Sequence, residues 1–173
     1  MNILFFVAAA IAIFSTIMVI TRHNAVHALL YLILSLLSLA VIFYTSGAPY
    51  AAALEIIVYA GAIMILFVFV VMMLNLSHST EEEKASTKIK AWIVPALLGG
   101  VLFIEFIYAF TIQRSLPNPV QVIGIKTIAV SLFTSYLLGV ELAGILLLAG
   151  IVGAYHLGRT KKKNLHRYLE TKE

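Results

Sequence analysis

The sequence has no cysteine and no aspartate, and few of its residues carry a charge. Of 173 residues, 12% are charged, and all eight acids are glutamate. The absence of cysteine excludes disulfides, thiolate-bound iron–sulfur clusters and cysteine zinc sites in this chain. The sequence also has no glycine-rich nucleotide loop, nucleophile–base pair or acidic metal cluster. These absences indicate that the chain carries out no redox or hydrolytic chemistry alone.

Long apolar runs dominate the rest of the sequence. Hydrophobic residues make up 62% of the chain and its mean hydropathy is +1.02, far outside the values of soluble globular proteins. A helix of about 20 apolar residues crosses a bilayer, and five segments are long enough. They cover residues 3–20, 25–44, 51–76, 91–112 and 135–157. None alternates like a strand of a membrane barrel, so we predict an all-α membrane protein with five transmembrane helices, forming one domain over residues 1–158.

The first and the last apolar runs form the two ends of this domain. The first apolar run begins at Ile3 with no basic residue before it, so we interpret it as a span and not as a cleavable signal peptide. The last apolar stretch covers residues 128–157, which is too long for one straight crossing. We expect its first part to lie at the membrane interface and the span itself to start near Ser135.

The basic residues predict the orientation in the membrane. With five spans, ten of the twelve fall on one side (Arg22, Lys84, Lys88, Lys90, Arg159, Lys161, Lys162, Lys163, Arg167 and Lys172), and only Arg114 and Lys126 fall on the other. By the positive-inside rule, the amino terminus is periplasmic and the carboxyl terminus cytoplasmic. Residues 159–173 then form a basic cytoplasmic tail. Its lysine run directly follows a span and has no folded platform, so we predict no nucleic-acid binding.

Glu55 is the first ionisable residue inside a predicted span, where a charge costs several kcal/mol. It lies near the outer end of the third span, and Tyr59 follows four residues later on the same helix face. A membrane carboxyl whose surroundings disfavour its charge exchanges protons near neutral pH. The alternatives are that Glu55 reaches the outer interface or accepts a hydrogen bond from a neighbouring helix. The sequence does not separate these three roles.

Two further acids lie in the later spans. Glu141, in the fifth span, occurs among small residues at four-residue spacing, which lets a partner helix approach closely. A place on a proton path is one interpretation of Glu141, and a hydrogen-bonding role within that helix contact is the other. Glu105, in the fourth span, is assigned a structural role in which it faces protein.

Gly61 and the histidines complete the candidate residues. Gly61 interrupts the third span between Tyr59 and a run of bulky residues. Such a glycine serves either packing or a π-bulge, and π-bulges concentrate at functional sites. His27 opens the second span and His156 closes the fifth, near the same face. Nothing in their spacing requires a haem between them, so no haem is assigned.

Three segments resemble the subunit J family of respiratory complex I, the proton-pumping NADH:quinone oxidoreductase. They are NAVHALLYLILSLL at residues 24–37, ALEIIVYAGAIMILFVFVVMMLNL at 53–76 and GVELAGILLLAG at 139–150. Their order and spacing are those of the family, so the resemblance extends nearly to Arg159. The combination of Glu55, Tyr59 and Gly61 is its most specific part.

The resemblance implies a function and partners. Members of this family are non-redox subunits packed between the quinone-site subunit and the antiporter-like subunits, while FMN, iron–sulfur clusters and quinone belong to other chains of the complex. The third helix carries a π-bulge at Tyr59 and Gly61 that opens and closes a proton path, and Glu55 matches a family acid on it. We place Glu141 on the same path as a candidate. The expected location is the inner membrane of a bacterium.

Two other functions are compatible with the composition. One is a subunit of a cation/proton antiporter, whose partners would include no NADH-oxidising chain. The other is a membrane anchor without catalytic function, or a cytochrome-like anchor, for which a Soret band of the purified chain is the discriminating measurement.

Overall fold

The computed structural model describes residues 3–74, 88–113 and 123–159, and gives side-chain environments for all of these except 88–91, 112 and 113. Every regular element in these ranges is helical. The elements are α1 (Ile3–Thr21), α2 (Ala25–Thr45), α3 (Pro49–Leu54), a π-helical segment (Glu55–Ile63), α4 (Met64–Met73), α5 (Lys88–Gln113), α6 (Ile125–Phe133) and α7 (Leu137–Gly158). Five helices are long and apolar enough to cross a membrane, with Pro49–Met73 counted as one. The predicted all-α architecture with five spans is confirmed, whereas the orientation of the termini stays a prediction.

The helix boundaries differ from the predicted spans by up to three residues. The third helix begins at Pro49 and not at residue 51, because proline fits the first turn of a helix, where its missing N–H is not needed. The last apolar stretch is divided by a turn at residues 134–136, so α7 begins at Leu137 and not at residue 135. That the part before this turn lies at the membrane interface stays a prediction. The end of the predicted third span and the tail beyond Arg159 lie outside the described residues.

Local hydrogen bonds fix both ends of α2. At its start, the side-chain oxygen of Asn24 accepts a hydrogen bond of 3.0 Å from the N–H of Val26, which caps the first turn. At its end, Gly47 has a φ of 86°, a backbone conformation that glycine adopts without strain. The N–H of Ala48 then donates to the carbonyl of Phe43 over 3.0 Å. This is the hydrogen-bond pattern of a glycine-terminated helix, and it turns the chain into α3.

The described residues fall into two units that divide between Ile125 and Lys126. In the first unit, α2 contacts α1, α3, the π-helical segment, α4 and α5. The core of this unit is formed by Ala8, Ile11, Tyr31, Leu34, Val41 and Leu102, which come from α1, α2 and α5. Because α2 supplies half of these residues and contacts all the other helices of the unit, it is the central helix.

Aromatic contacts show that α2 and α5 run in the same direction. At the start of both helices, the rings of His27 and Trp92 meet edge to face with centroids 6.0 Å apart. At the far end, Tyr44 contacts Phe106 and Phe110 at centroid distances of 5.9 and 6.5 Å. Parallel neighbours require an odd number of crossings between them. The third helix supplies that crossing.

The second unit contains α6 and α7. The N–H of Tyr136 donates to the carbonyl of Ser131 over 3.1 Å, which closes the turn between the two helices. No residue of α7 is buried within the described structure. That the five helices form one domain over residues 1–158 stays a prediction.

Candidate functional site

The third membrane helix changes from α-helical to π-helical geometry over Glu55–Ile63 and then returns to α-helical geometry. At the end of this segment, the N–H of Met64 is directed to the carbonyls of Tyr59 and Gly61, and not to that of Ala60 as in a regular α-helix. A π-helix uses such i→i+5 hydrogen bonds and fits one extra residue into the turn. The backbone is therefore π-helical in the region for which the sequence analysis considered a bulge.

Gly61 makes a close approach inside this segment. A Cβ atom added to Gly61 would lie 3.1 Å from the carbonyl oxygen of Ile56, five residues earlier. That distance is tighter than ordinary van der Waals contact, so a larger side chain requires the local backbone to shift. Glycine at this position thus suits the π-helical hydrogen bonding of the segment.

The π-helical segment lies between two buried residues, but none of its own residues is buried. Ala52 is 3% exposed and Met64 is 2% exposed, whereas no residue from Glu55 to Ile63 is buried. The segment contacts α2 on one side. Its other side faces away from the first unit, and the Tyr59 side chain is 50% exposed. The segment therefore lies at the surface of the first unit.

Glu55 and Tyr59 lie four residues apart on this segment, so the structure places both close to Gly61 along one helix. The Glu55 carboxyl is half-buried, and within the described part of the chain it makes no hydrogen bond or ion pair. It is therefore free to interact with water or with another subunit. The sequence analysis named the same three residues, and their function stays a prediction.

Glu141 lies apart from this site in the chain, on α7 of the second unit, where it is exposed. At 100° per residue, the small residues at 139, 143, 150 and 154 lie on the opposite face of α7 from Glu141, whereas Gly144 lies on the same face as Glu141. Small residues therefore occur both near Glu141 and on the opposite face.

Glu105 is buried on α5, with an exposed fraction of 5%, which agrees with the protein-facing role assigned to it. Two serines that sequence reasoning did not single out, Ser15 on α1 and Ser38 on α2, are fully buried. Ser15 follows Ala8, Ile11 and Ala12 at helical spacing, and all four residues are buried. The helical spacing of these four residues is visible in the sequence. In an apolar helix, however, such spacing does not show which face packs against protein.

His27 has a structural environment of its own. Its ring packs against Trp92, and its Nδ1 atom is buried without a hydrogen-bond partner among the described residues. His156 lies on α7, in the second unit. Because its ring contacts Trp92, His27 is a residue of the α2–α5 interface.

Comparison with known proteins gives the family. Residues 15–157 match the family described as NADH-ubiquinone/plastoquinone oxidoreductase chain 6. The NADH-quinone oxidoreductase subunit J of Escherichia coli strain K12 is 48% identical over 163 residues, which cover 94% of this chain and 89% of the relative. The subunit J of Pseudomonas aeruginosa is 48% identical over 168 residues, which cover 94% and 99%. That of Buchnera aphidicola subsp. Acyrthosiphon pisum is 41% identical over 170 residues, which cover 98% and 100%. The chain therefore belongs to the NADH-ubiquinone/plastoquinone oxidoreductase chain 6 family, whose bacterial relatives named here are called subunit J.

Proposed function

We propose that the chain is a membrane-arm subunit of NADH:quinone oxidoreductase in a bacterial inner membrane, and that it couples quinone reduction to proton translocation. Family membership supports the enzyme, and the five apolar helices support the place in the membrane. The observation that carries the coupling role is the π-helical segment Glu55–Ile63. It combines a carboxyl without a partner among the described residues, an exposed phenol and a glycine at which an added Cβ would crowd a backbone carbonyl, all in nine residues of a membrane helix.

In this proposal, the π-helical segment is the element that changes conformation. If one π turn converts to α-helical hydrogen bonding, the residues on its two sides rotate relative to each other by about 100°, the angle of one residue. The rotation exchanges side chains that face α2 with side chains that face outward. Packed helices change between discrete arrangements of this kind and do not deform continuously. Such an exchange opens and closes a proton path along the outward side of the segment.

Glu55 holds and releases the proton in this scheme. Its carboxyl has no fixed partner within the described residues, so it can pass between the neutral and ionised forms without breaking an ion pair. The Tyr59 hydroxyl, which both donates and accepts hydrogen bonds, lies on the same stretch of helix. Glu141 is proposed as a further group of the proton path.

The proposed neighbours are the quinone-site subunit and the antiporter-like subunits. Two faces of α7 support protein neighbours and not lipid. The face with the small residues at 139, 143, 150 and 154 permits close helix contact, and the opposite face carries Glu141. Quinone, FMN and iron–sulfur clusters would bind in other chains.

Gly61→Val is the experiment that tests the coupling role. Valine brings a branched side chain against the Ile56 carbonyl and is expected to trap one state of the helix. The assembled enzyme should keep its cofactor content, while NADH oxidase rate and proton-gradient formation fall by about fivefold or more, as a shift of about 1 kcal/mol between two states would produce.

Gly100→Val is the matched control, because an added Cβ at Gly100 in α5 meets no atom within 4 Å. This variant should retain both activities. If Gly61→Val retains them as well, the π-helical segment is ordinary packing, and the coupling element lies in another chain.

A further inference from the structure

Glu105 is the only Lys, Arg, Asp or Glu that is buried among the side chains that the structure describes. It lies on α5 with Leu102 and Ala109, which are also buried at helical spacing. Leu102 belongs to the core formed with α1 and α2, and the backbone of Ala8 in α1 lies beside the Glu105 carboxyl. The helices of this chain alone, without a partner subunit, therefore enclose Glu105.

The buried carboxyl has no charged partner in the described part of the chain. The backbone of Ala8 lies beside it, but neither carboxyl oxygen makes a hydrogen bond of good geometry, and no ion pair involves Glu105 among the described residues. The described residues also bring no group of three metal-ligating side chains together, so a metal ion is a poor fit. An ionised carboxylate in such a place would lose its hydration with little compensation.

The titratable groups that the structure describes on the surrounding helices do not supply a cation. Helix α1 contains none from Ile3 to Thr21. Helix α2 contains His27, Tyr31 and Tyr44, and α5 itself contains Tyr108 among its described side chains. His27 packs against Trp92, which is 13 residues from Glu105 and thus about 20 Å away along the helix. The other three are phenols, which carry no positive charge in either protonation state.

Hydroxyl groups are the other buried polar side chains of this bundle. Ser38 and Ser15 are fully buried on α2 and α1, and the Ser15 hydroxyl has no hydrogen-bond partner among the described residues. The Thr16 and Ser35 hydroxyls lie 2.9 Å apart between the same two helices. The α1–α2–α5 interior therefore contains several groups that donate or accept a hydrogen bond but carry no charge.

We propose that Glu105 is a proton-binding site inside the α1–α2–α5 bundle, separate from the proton path proposed at Glu55, and that it holds its proton at neutral pH. The step is the addition of one proton to one carboxylate oxygen, with no other bond made or broken. The separation is supported by the packing, because α5 packs against α1 and α2, whereas the π-helical segment packs against α2, α3 and α4. The buried acid remains neutral in this site.

Infrared difference spectroscopy of the assembled enzyme in its membranes tests this site. At pH 7, the wild type minus Glu105→Gln spectrum should contain the carbonyl band of a protonated carboxylic acid, shifted in heavy water. The same band should persist in Glu55→Gln, so the test is independent of the coupling role proposed for the π-helical segment. Carboxylate bands in the difference spectrum, or a band that changes when sodium replaces potassium, would overturn the proposal.

Two substitutions at the same position give a second measurement. Glu105→Leu keeps the volume and removes only a neutral group without a partner, so the content of assembled enzyme should stay within about twofold of wild type. Glu105→Arg puts a guanidinium group, which stays charged, at the same buried position. The content of assembled enzyme should then fall by about tenfold or more. If Glu105→Leu lost assembly as severely as Glu105→Arg, the carboxyl would be one half of a required ion pair and the proposal would be wrong.

Discussion

The hydroxyls of Thr16 and Ser35 meet at 2.9 Å across the interface of α1 and α2. Thr16 also donates to the carbonyl of Ala12 over 2.8 Å, and the Ser35 hydroxyl lies 3.4 Å from the same carbonyl. Two hydroxyls thus share one backbone oxygen inside the membrane. Hydrogen bonds between membrane helices contribute about 0.6 kcal/mol on average and at most about 1.7 kcal/mol.

We expect Thr16→Val and Ser35→Ala to destabilise the α1–α2 pair non-additively. A double-mutant cycle, measured by denaturant titration of the assembled subunit, should give a coupling energy of about 0.6 to 1.7 kcal/mol. Thr21→Val is the control, because the Thr21 hydroxyl donates only within α1, to Ile17 over 3.0 Å and to Met18 over 3.4 Å. Additive effects of Thr16→Val and Ser35→Ala would show that the contact contributes nothing.

Gly61→Ala should have an intermediate effect on coupling. Its methyl group would sit 3.1 Å from the Ile56 carbonyl, which a small backbone shift relieves, whereas valine adds two further atoms. The NADH oxidase rate should therefore decrease from wild type to alanine to valine at residue 61. Gly100→Ala, with open space around the added methyl group, should match wild type. Equal rates for Gly61→Ala and Gly61→Val would argue that steric pressure is not the cause.

Glu55→Gln should lower the number of protons moved per NADH oxidised. Glutamine keeps the size and the hydrogen-bonding capacity of the side chain but cannot ionise. Glu55→Asp, which still ionises, should preserve more of the pumping than Glu55→Gln. Quenching of a proton-gradient dye, normalised to NADH oxidase rate, measures the ratio. A wild-type ratio in Glu55→Gln would remove Glu55 from the proton path.

A reporter that is active only in the cytoplasm should work when fused after Lys163. The ten-to-two distribution of basic residues between the two sides of the membrane motivates this expectation. A reporter that requires export should fail at the same position. The reverse pattern would contradict the predicted orientation, in which the amino terminus is periplasmic.

Expressed without other subunits, the chain should be degraded or aggregate. Helix α7 buries none of its residues within the described structure, and Glu141 on it lies exposed. An ionisable side chain and small residues in a membrane helix favour protein neighbours over lipid. Co-expression with the other membrane-arm subunits should raise its steady-state level by about fivefold or more, measured by immunoblotting of membranes. A stable, monodisperse chain that transports ions unaided would contradict the proposed role as a subunit.

The sequence predicted the helices better than the contacts between them, and the reason is physical. Hydropathy and helix length locate a span without knowledge of its neighbours, so α1 and α2 end within one residue of the predicted limits. The faces of an apolar helix look alike in sequence whether lipid or protein covers them. The burial of Glu105 by α1 and α2 was therefore not predictable beyond its preference for protein.

The π-helical segment is an intermediate case. The sequence marked the position through Gly61 and Tyr59, but a glycine in a membrane helix is also compatible with regular packing. The close approach of Gly61 to the Ile56 carbonyl depends on backbone hydrogen bonds that no sequence pattern specifies. Only the folded backbone distinguishes the two interpretations.

The central position of α2 has a consequence for how the protein tolerates mutation. Helix α2 contacts the other helices of the first unit on several sides and buries Tyr31, Leu34, Ser35, Ser38, Ala40 and Val41. Helix α7 buries none of its residues. A saturation-mutagenesis library selected for the folded chain alone should therefore be depleted most strongly in α2. In α7, depletion of apolar-to-apolar substitutions should arise only when selection requires the assembled enzyme, because polar and charged substitutions also impair membrane insertion. The difference between the two selections at such substitutions maps the surfaces that other subunits cover.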